Sequence, residues 1–210
     1  MVRGQPLGMG LRMKIREVLG LCAIAAVWQG SALAQTDHEH HHAASTDTGP
    51  AIVAGLRVPD TVLVNQRGEK VHFYSDLVKG KVVAINTIFT TCTTICPLMG
   101  ANFAKLRKLL GGNPKISLIS ISIDPAVDTP ERLDQWSREF GPVGAGWTLL
   151  TGEPAEVVAL LKALQVFTPD KQDHAPVVLI GGDGVGDWSR ASALMPASQL
   201  AGLILSRAGH

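Results

Sequence analysis

Several common signatures are missing from this 210-residue chain. It has no GxGxxG and no GxxxxGK[ST] run, so nucleotide phosphates have no cradle here. There is no internal repeat and no basic stripe. Nineteen Lys and Arg stand against 18 Asp and Glu, which gives no reason to expect a nucleic-acid partner. No apolar run approaches the roughly 20 residues that a membrane-spanning helix needs. The longest, Val18 to Val27, is about half that length, and Gln29 prevents its extension. Cysteine is scarce, three in all, so a close pair among them stands out. The chain is otherwise 46% hydrophobic and 18% charged, the balance of a globular protein. Its length fits one domain and a leader.

The leader reads as an export signal over residues 1–34. Arg3, Arg12, Lys14 and Arg16 make a positive start, Val18 to Val27 the apolar stretch, and Ala32-Leu33-Ala34 a small-x-small cleavage site. The competing reading is an uncleaved anchor. Lipid attachment at Cys22 is disfavoured because Leu21 stands where a small residue is usual. Cleavage removes four cations and Glu17, so the formal charge moves from +1 to near −2. It also leaves only Cys92 and Cys96, in a compartment that oxidises thiols. Residues 35–50 lack apolar periodicity and read as a flexible tether. Within it, His38, His40, His41 and His42 are either a weak metal collector or a soluble spacer.

The folded part is expected over residues 51–210. VPDTVLV and EKVHFY, joined at Asn65-Gln66-Arg67-Gly68, predict a hairpin in which Val71 and Phe73 alternate with polar residues. VVAINTIF predicts a strand buried on both faces. The loop TTCTTIC comes next, and Pro97 opens a helix with Met99, Phe103, Leu106 and Leu110 at helical spacing. SLISISI is a second buried strand, and Asp128 or Thr129 is placed to cap a helix with Pro130 in its first turn. WTLL, EPAEVVALLKAL, PVVLI, a polar strand near Asp187-Trp188-Ser189 and the helix ASQLAGLIL complete the chain. Strands alternating with helices predict an α/β fold with a partly parallel sheet.

Cys92 and Cys96 are separated by three residues. Near a helix start this puts their Cα atoms roughly 6 Å apart, within the range for a disulfide and close enough for two thiolates to hold one ion. The helix N-terminus favours thiolate, the form that ligates metals and attacks disulfides. A purely structural disulfide would close a very small loop, where cross-linking stabilises least. His174, in KQDHAPVVLI, and His72, within a strand, are the other candidates; a lone histidine is more often a satisfied polar residue than a ligand.

Three segments carry a resemblance that covers nearly all of residues 55–208. FTTCTTICP is similar to the CxxxCP motif of the Sco/SenC family, SISIDPAVDTPERL to its strand and acidic turn, and DHAPVVLI to the loop bearing its metal-binding histidine. The resemblance implies a thioredoxin-like fold with an N-terminal β-hairpin and a central mixed sheet flanked by helices. In such folds a proline before the last central strand, here Pro176, faces the cysteine loop, and this brings His174 near the thiols. Cys92, Cys96 and His174 are then the implied ligands of one copper ion. Two thiolates and an imidazole suit copper, whereas structural zinc normally takes four protein ligands. The resemblance also implies a periplasmic metallochaperone serving the dinuclear copper centre of cytochrome c oxidase, with a thiol reductase as second partner. The same cysteines would serve a thiol-disulfide oxidoreductase or a copper or redox sensor, and these alternatives share every residue. Asp124 and Asp128 match family positions but are explained as a turn and a helix cap, outside the ligand set.

Overall fold

The computed structural model describes residues 50–141, 146–183 and 185–209. The leader with its cleavage site and Cys22, histidines 38, 40, 41 and 42, and His210 lie outside the described residues. The described elements are β1 (Ala51–Val53), β2 (Val62–Asn65), β3 (Lys70–His72), β4 (Val82–Ile88), α1 (Ile95–Leu109), β5 (Ile116–Ser122), α2 (Pro130–Arg138), β6 (Trp147–Thr151), α3 (Pro154–Ala163), β7 (Val177–Gly182), β8 (Trp188–Ser192) and α4 (Ala197–Ala208). No described helix is long and apolar enough to cross a membrane.

The strands form one mixed sheet in the order β1-β8-β7-β4-β5-β6-β2-β3. β4, β5 and β6 run parallel, and β7 joins β4 antiparallel, with Ile85 opposite Leu179. All seven residues of β4 and all seven of β5 are buried, as expected of strands covered on both faces; the small polar residues among their Val and Ile, Asn86 and the serines of β5, are buried with them. Side chains of alternate parity enter two cores. Val82, Ala84 and Ile88 pack with α1, α2 and α4, whereas Val83 and Ile85 pack with α3 and the turn after β3.

On the first face, Trp147 meets Phe103 at 6.1 Å and Trp136 at 6.4 Å between ring centroids. Its indole N–H donates to Ser120 Oγ, which donates to Asn86 Oδ1, so these polar groups sit in the core with partners. α1 and α2 approach closely at Gly100, where a Cβ would lie 2.5 Å from Phe140 and 2.8 Å from Trp136.

Two local features differ from the sequence expectation. Phe73 does not continue the hairpin strand but opens a π-helical turn, Phe73–Val78. Asp60 accepts from the backbone N–H groups of Tyr74 and Ser75, and Asp76 from that of His72, so carboxylates take donors that a strand partner would need. A short edge strand, β1, pairs with β8 without any apolar alternation to announce it.

Candidate metal centre

β4 and β7 are neighbours, so the loop leaving β4 and the loop entering β7 meet at one end of the sheet. The first carries both cysteines. Cys92 N–H donates to the Phe89 carbonyl at 3.2 Å, turning the chain back before α1. Thr94, at the α1 N-cap, makes no side-chain cap bond. The Cys92 sulfur takes that place, accepting from the Cys96 backbone N–H at 3.4 Å and lying 3.7 Å from Thr94 Oγ1. Both thiols are free.

The two sulfurs have opposite electrostatics. At Cys92, burial opposes ionisation, but hydrogen bonds from the backbone and side chains of Cys96 and Thr94 outweigh it and lower the thiol from 9.0 to about 7. At Cys96, burial dominates, and the negative charges of Cys92 and Asp128 add to it, pushing the thiol up to about 12.

His174 comes directly after a short 3-10 turn, Lys171–Asp173, that Asp170 caps by accepting from Gln172 N–H. Its Nδ1 lies 2.9 Å from the Lys171 carbonyl. A carbonyl only accepts, so Nδ1 carries the hydrogen and Nε2 of the neutral ring is an open lone pair. That Nε2 faces Cys96 Sγ at 3.6 Å. At that separation the sulfur and the nitrogen would be able to hold one ion between them. Phe89 meets the imidazole edge-on at 5.4 Å and fixes its plane.

Among the described residues, no three His, Cys, Asp or Glu side chains form a ready-made metal group. Cys92 Sγ accepts from the Cys96 N–H and shares a side-chain hydrogen bond with Cys96, the thiol that His174 faces. The three residues are 8%, 0% and 7% exposed in the order Cys92, Cys96, His174, and the threonines at 91, 93 and 94 above them face solvent.

Two acidic residues do more than the sequence reading assigned them. Thr129, not Asp128, caps α2, accepting from Arg132 N–H. The Asp128 carboxylate is instead fully buried. It accepts from Thr90 N–H, from Thr90 Oγ1 at 2.6 Å and from Ser122 Oγ at 2.6 Å, tying the cysteine loop to the end of β5. Asp124 does make the expected turn, its carbonyl accepting from Val127 and Asp128. Its carboxylate also pairs with Lys171 Nζ at 2.6 Å, and that ammonium lies over the Phe89 ring. Lys171, Thr90 and Phe89 were invisible as site residues because each acts through a neighbour distant in sequence, and Ser122 because its partner Asp128 reads locally as a helix cap. His72 sits on the edge strand β3 beside Asp60, away from the thiols.

A thioredoxin-like sheet with a CxxxC loop at a helix start and an imidazole presented from the opposite loop defines the class. The chain belongs to the SCO1/SenC family, whose model matches residues 57–195. It is 32% identical over 129 residues to a SCO1 protein homolog of Bacillus subtilis (strain 168), covering 57% of this chain and 66% of that one. The match spans between about half and two thirds of the curated relatives' length. A SCO1/SenC family lipoprotein from Bacillus anthracis superposes with a TM-score of 0.63 at 27% identity, covering 76% of this chain and 97% of that one. Bradyrhizobium japonicum ScoI, solved with copper bound, shares the fold at a TM-score of 0.59 and 22% identity, over 76% of this chain and 98% of that one.

Proposed function

We propose that Cys92, Cys96 and His174 bind one copper ion per chain as cargo, and that the protein delivers it to, or matures, the copper centre of a respiratory cytochrome c oxidase. The observation that carries this reading is the His174 Nε2 lone pair held 3.6 Å from Cys96 Sγ. Two thiolates and one imidazole suit Cu(I) and accept Cu(II), and copper stands at the top of the affinity order for such donors. Family membership and the copper-bound ScoI relative support the choice of metal; the oxidase client rests on the family resemblance. Copper titration of the reduced protein against His174→Ala tests the site, and equal affinity in the two would remove histidine from it.

A second reading rests on the opposite shifts of the two thiols. Here the Cys92 thiolate attacks a client disulfide and expels one client thiolate. Cys96, losing its proton, then attacks the Cys92 sulfur and expels the other. The client is reduced, this chain is left with a Cys92–Cys96 disulfide, and a periplasmic thiol reductase must restore it. Client reduction that survives His174→Ala without retained copper favours this route. Both readings place residues 51–210 in the periplasm, behind a tether over 35–50 and a signal removed after Ala34. Mass analysis of the exported protein checks that cut.

A further inference from the structure

We propose that the outer face of α1 and α4 docks on an anionic phospholipid surface. Leu98, Lys105 and Leu109 recur on one stripe of α1, and Ser198, Gly202 and Leu205 on one stripe of α4. The leucines that should be internal are not. Leu98 is 60% exposed, Leu109 53%, Leu194 47% and Leu205 45%. Asn102 fastens the loop bearing Leu194 to α1, its amide donating to the carbonyls of Ala193 at 2.9 Å and Met195 at 2.8 Å. Lys105, Lys108 and Leu109 line one groove with Ala197 and Ser198, so the two helix stripes are continuous.

Charge identifies the occupant. Neither α1 nor α4 contains an Asp or Glu, and their cations include the exposed Lys105 and Lys108. Acidic residues lie on the other helices, at Glu131 and Asp134 of α2 and Glu156 of α3. Aliphatic side chains interspersed with lysines, without an acidic residue, match the chemistry of an interfacial helix face. The lysine stems lie along apolar surface while their heads reach phosphate. A protein hot spot would centre on aromatic or arginine anchors; the only aromatic of α1, Phe103, is wholly buried, and Arg107 and Arg207 are part-buried, which leaves the exposed cations of the face as lysines. Leu98 lies two residues beyond Cys96, so a docked molecule keeps its cysteine loop at the rim of the contact. The proposal does not depend on the copper reading.

Lysine footprinting of the full chain tests it, because a local readout is not masked by any binding of the leader. Vesicles of phosphatidylcholine with phosphatidylglycerol should protect Lys105 and Lys108 from acylation while leaving Lys70 and Lys79 reactive. Vesicles of phosphatidylcholine alone should protect much less, and high salt should abolish protection. In Leu109→Gln/Leu205→Gln, both at exposed sites, half-protection should require about tenfold more lipid. Unchanged reactivity of Lys105 and Lys108 on anionic vesicles would overturn the proposal. Protection by polyglutamate but not by vesicles would also overturn it, assigning the face to an acidic protein.

Discussion

Alkylation of the reduced protein should select Cys92 over Cys96 by a wide margin, with a midpoint near pH 7. With its thiol at about 7, roughly half of Cys92 is thiolate at neutral pH, against about one part in a hundred for a thiol at 9.0. That is about a fiftyfold gain in reactive form. Cys96, at about 12, is ionised to only about one part in 100,000. The assay is iodoacetamide labelling across about pH 5 to 9, read residue by residue by mass spectrometry. Thr94→Val removes one of the contacts to Cys92 Sγ and should move the midpoint upward, while the backbone donors of Cys96 and Thr94 keep it below 9.0. Earlier labelling of Cys96, or a wild-type midpoint near 9.0, would refute the helix-cap account of the Cys92 sulfur. The shifts also fix the sign of the stability change. Cys92 ionises lower in the folded chain, so its contribution is full above pH 9.0 and is lost as pH falls toward 7. Cys96 ionises higher in the folded chain, so its contribution is full below 9.0 and is lost as pH rises toward 12.

Other perturbations test the surrounding frame. Asp128→Ala removes the buried carboxylate that the Thr90 N–H, Thr90 hydroxyl and Ser122 hydroxyl share, leaves the buried Ser122 hydroxyl without it, and should cost about 1–3 kcal/mol in urea unfolding. The milder Asp128→Asn should bring the Cys96 thiol down, seen as faster Cys96 labelling in alkaline buffer, because a negative charge beside it is gone. Gly100→Ala forces a methyl group against Phe140 and Trp136 and should cost about 1–3 kcal/mol, read as a lowered Tm with unchanged copper stoichiometry.

Much of the fold could be read along the chain because its strongest signals are local. The Val- and Ile-rich strands β4 and β5, the apolar spacing of α1 and the proline starts of α2 and α3 each encode an element within a few residues. Phe73 misled because its hydrophobic alternation continues past His72, whereas the carboxylates that end the strand include Asp60, fourteen residues upstream of Tyr74. Asp128 misled for a similar reason. Its local context fits a helix cap equally well, and only the return of the chain beside Thr90 adds the Thr90 N–H and hydroxyl to the nearby Ser122 hydroxyl as donors.

By itself the sequence put Cys92 and Cys96 within four residues of each other beside a helix start, a spacing that keeps both thiols in one loop. It could nominate His174 only through likeness to other proteins. Tertiary structure decided that His174 meets Cys96, since 78 residues separate them and only the antiparallel pairing of β7 with β4 brings their loops together. It also decided why Cys96 resists ionisation, through burial and the charge of Asp128, whereas the Lys171 carbonyl at His174 Nδ1 and the Cys96 N–H at Cys92 Sγ act over only three and four residues.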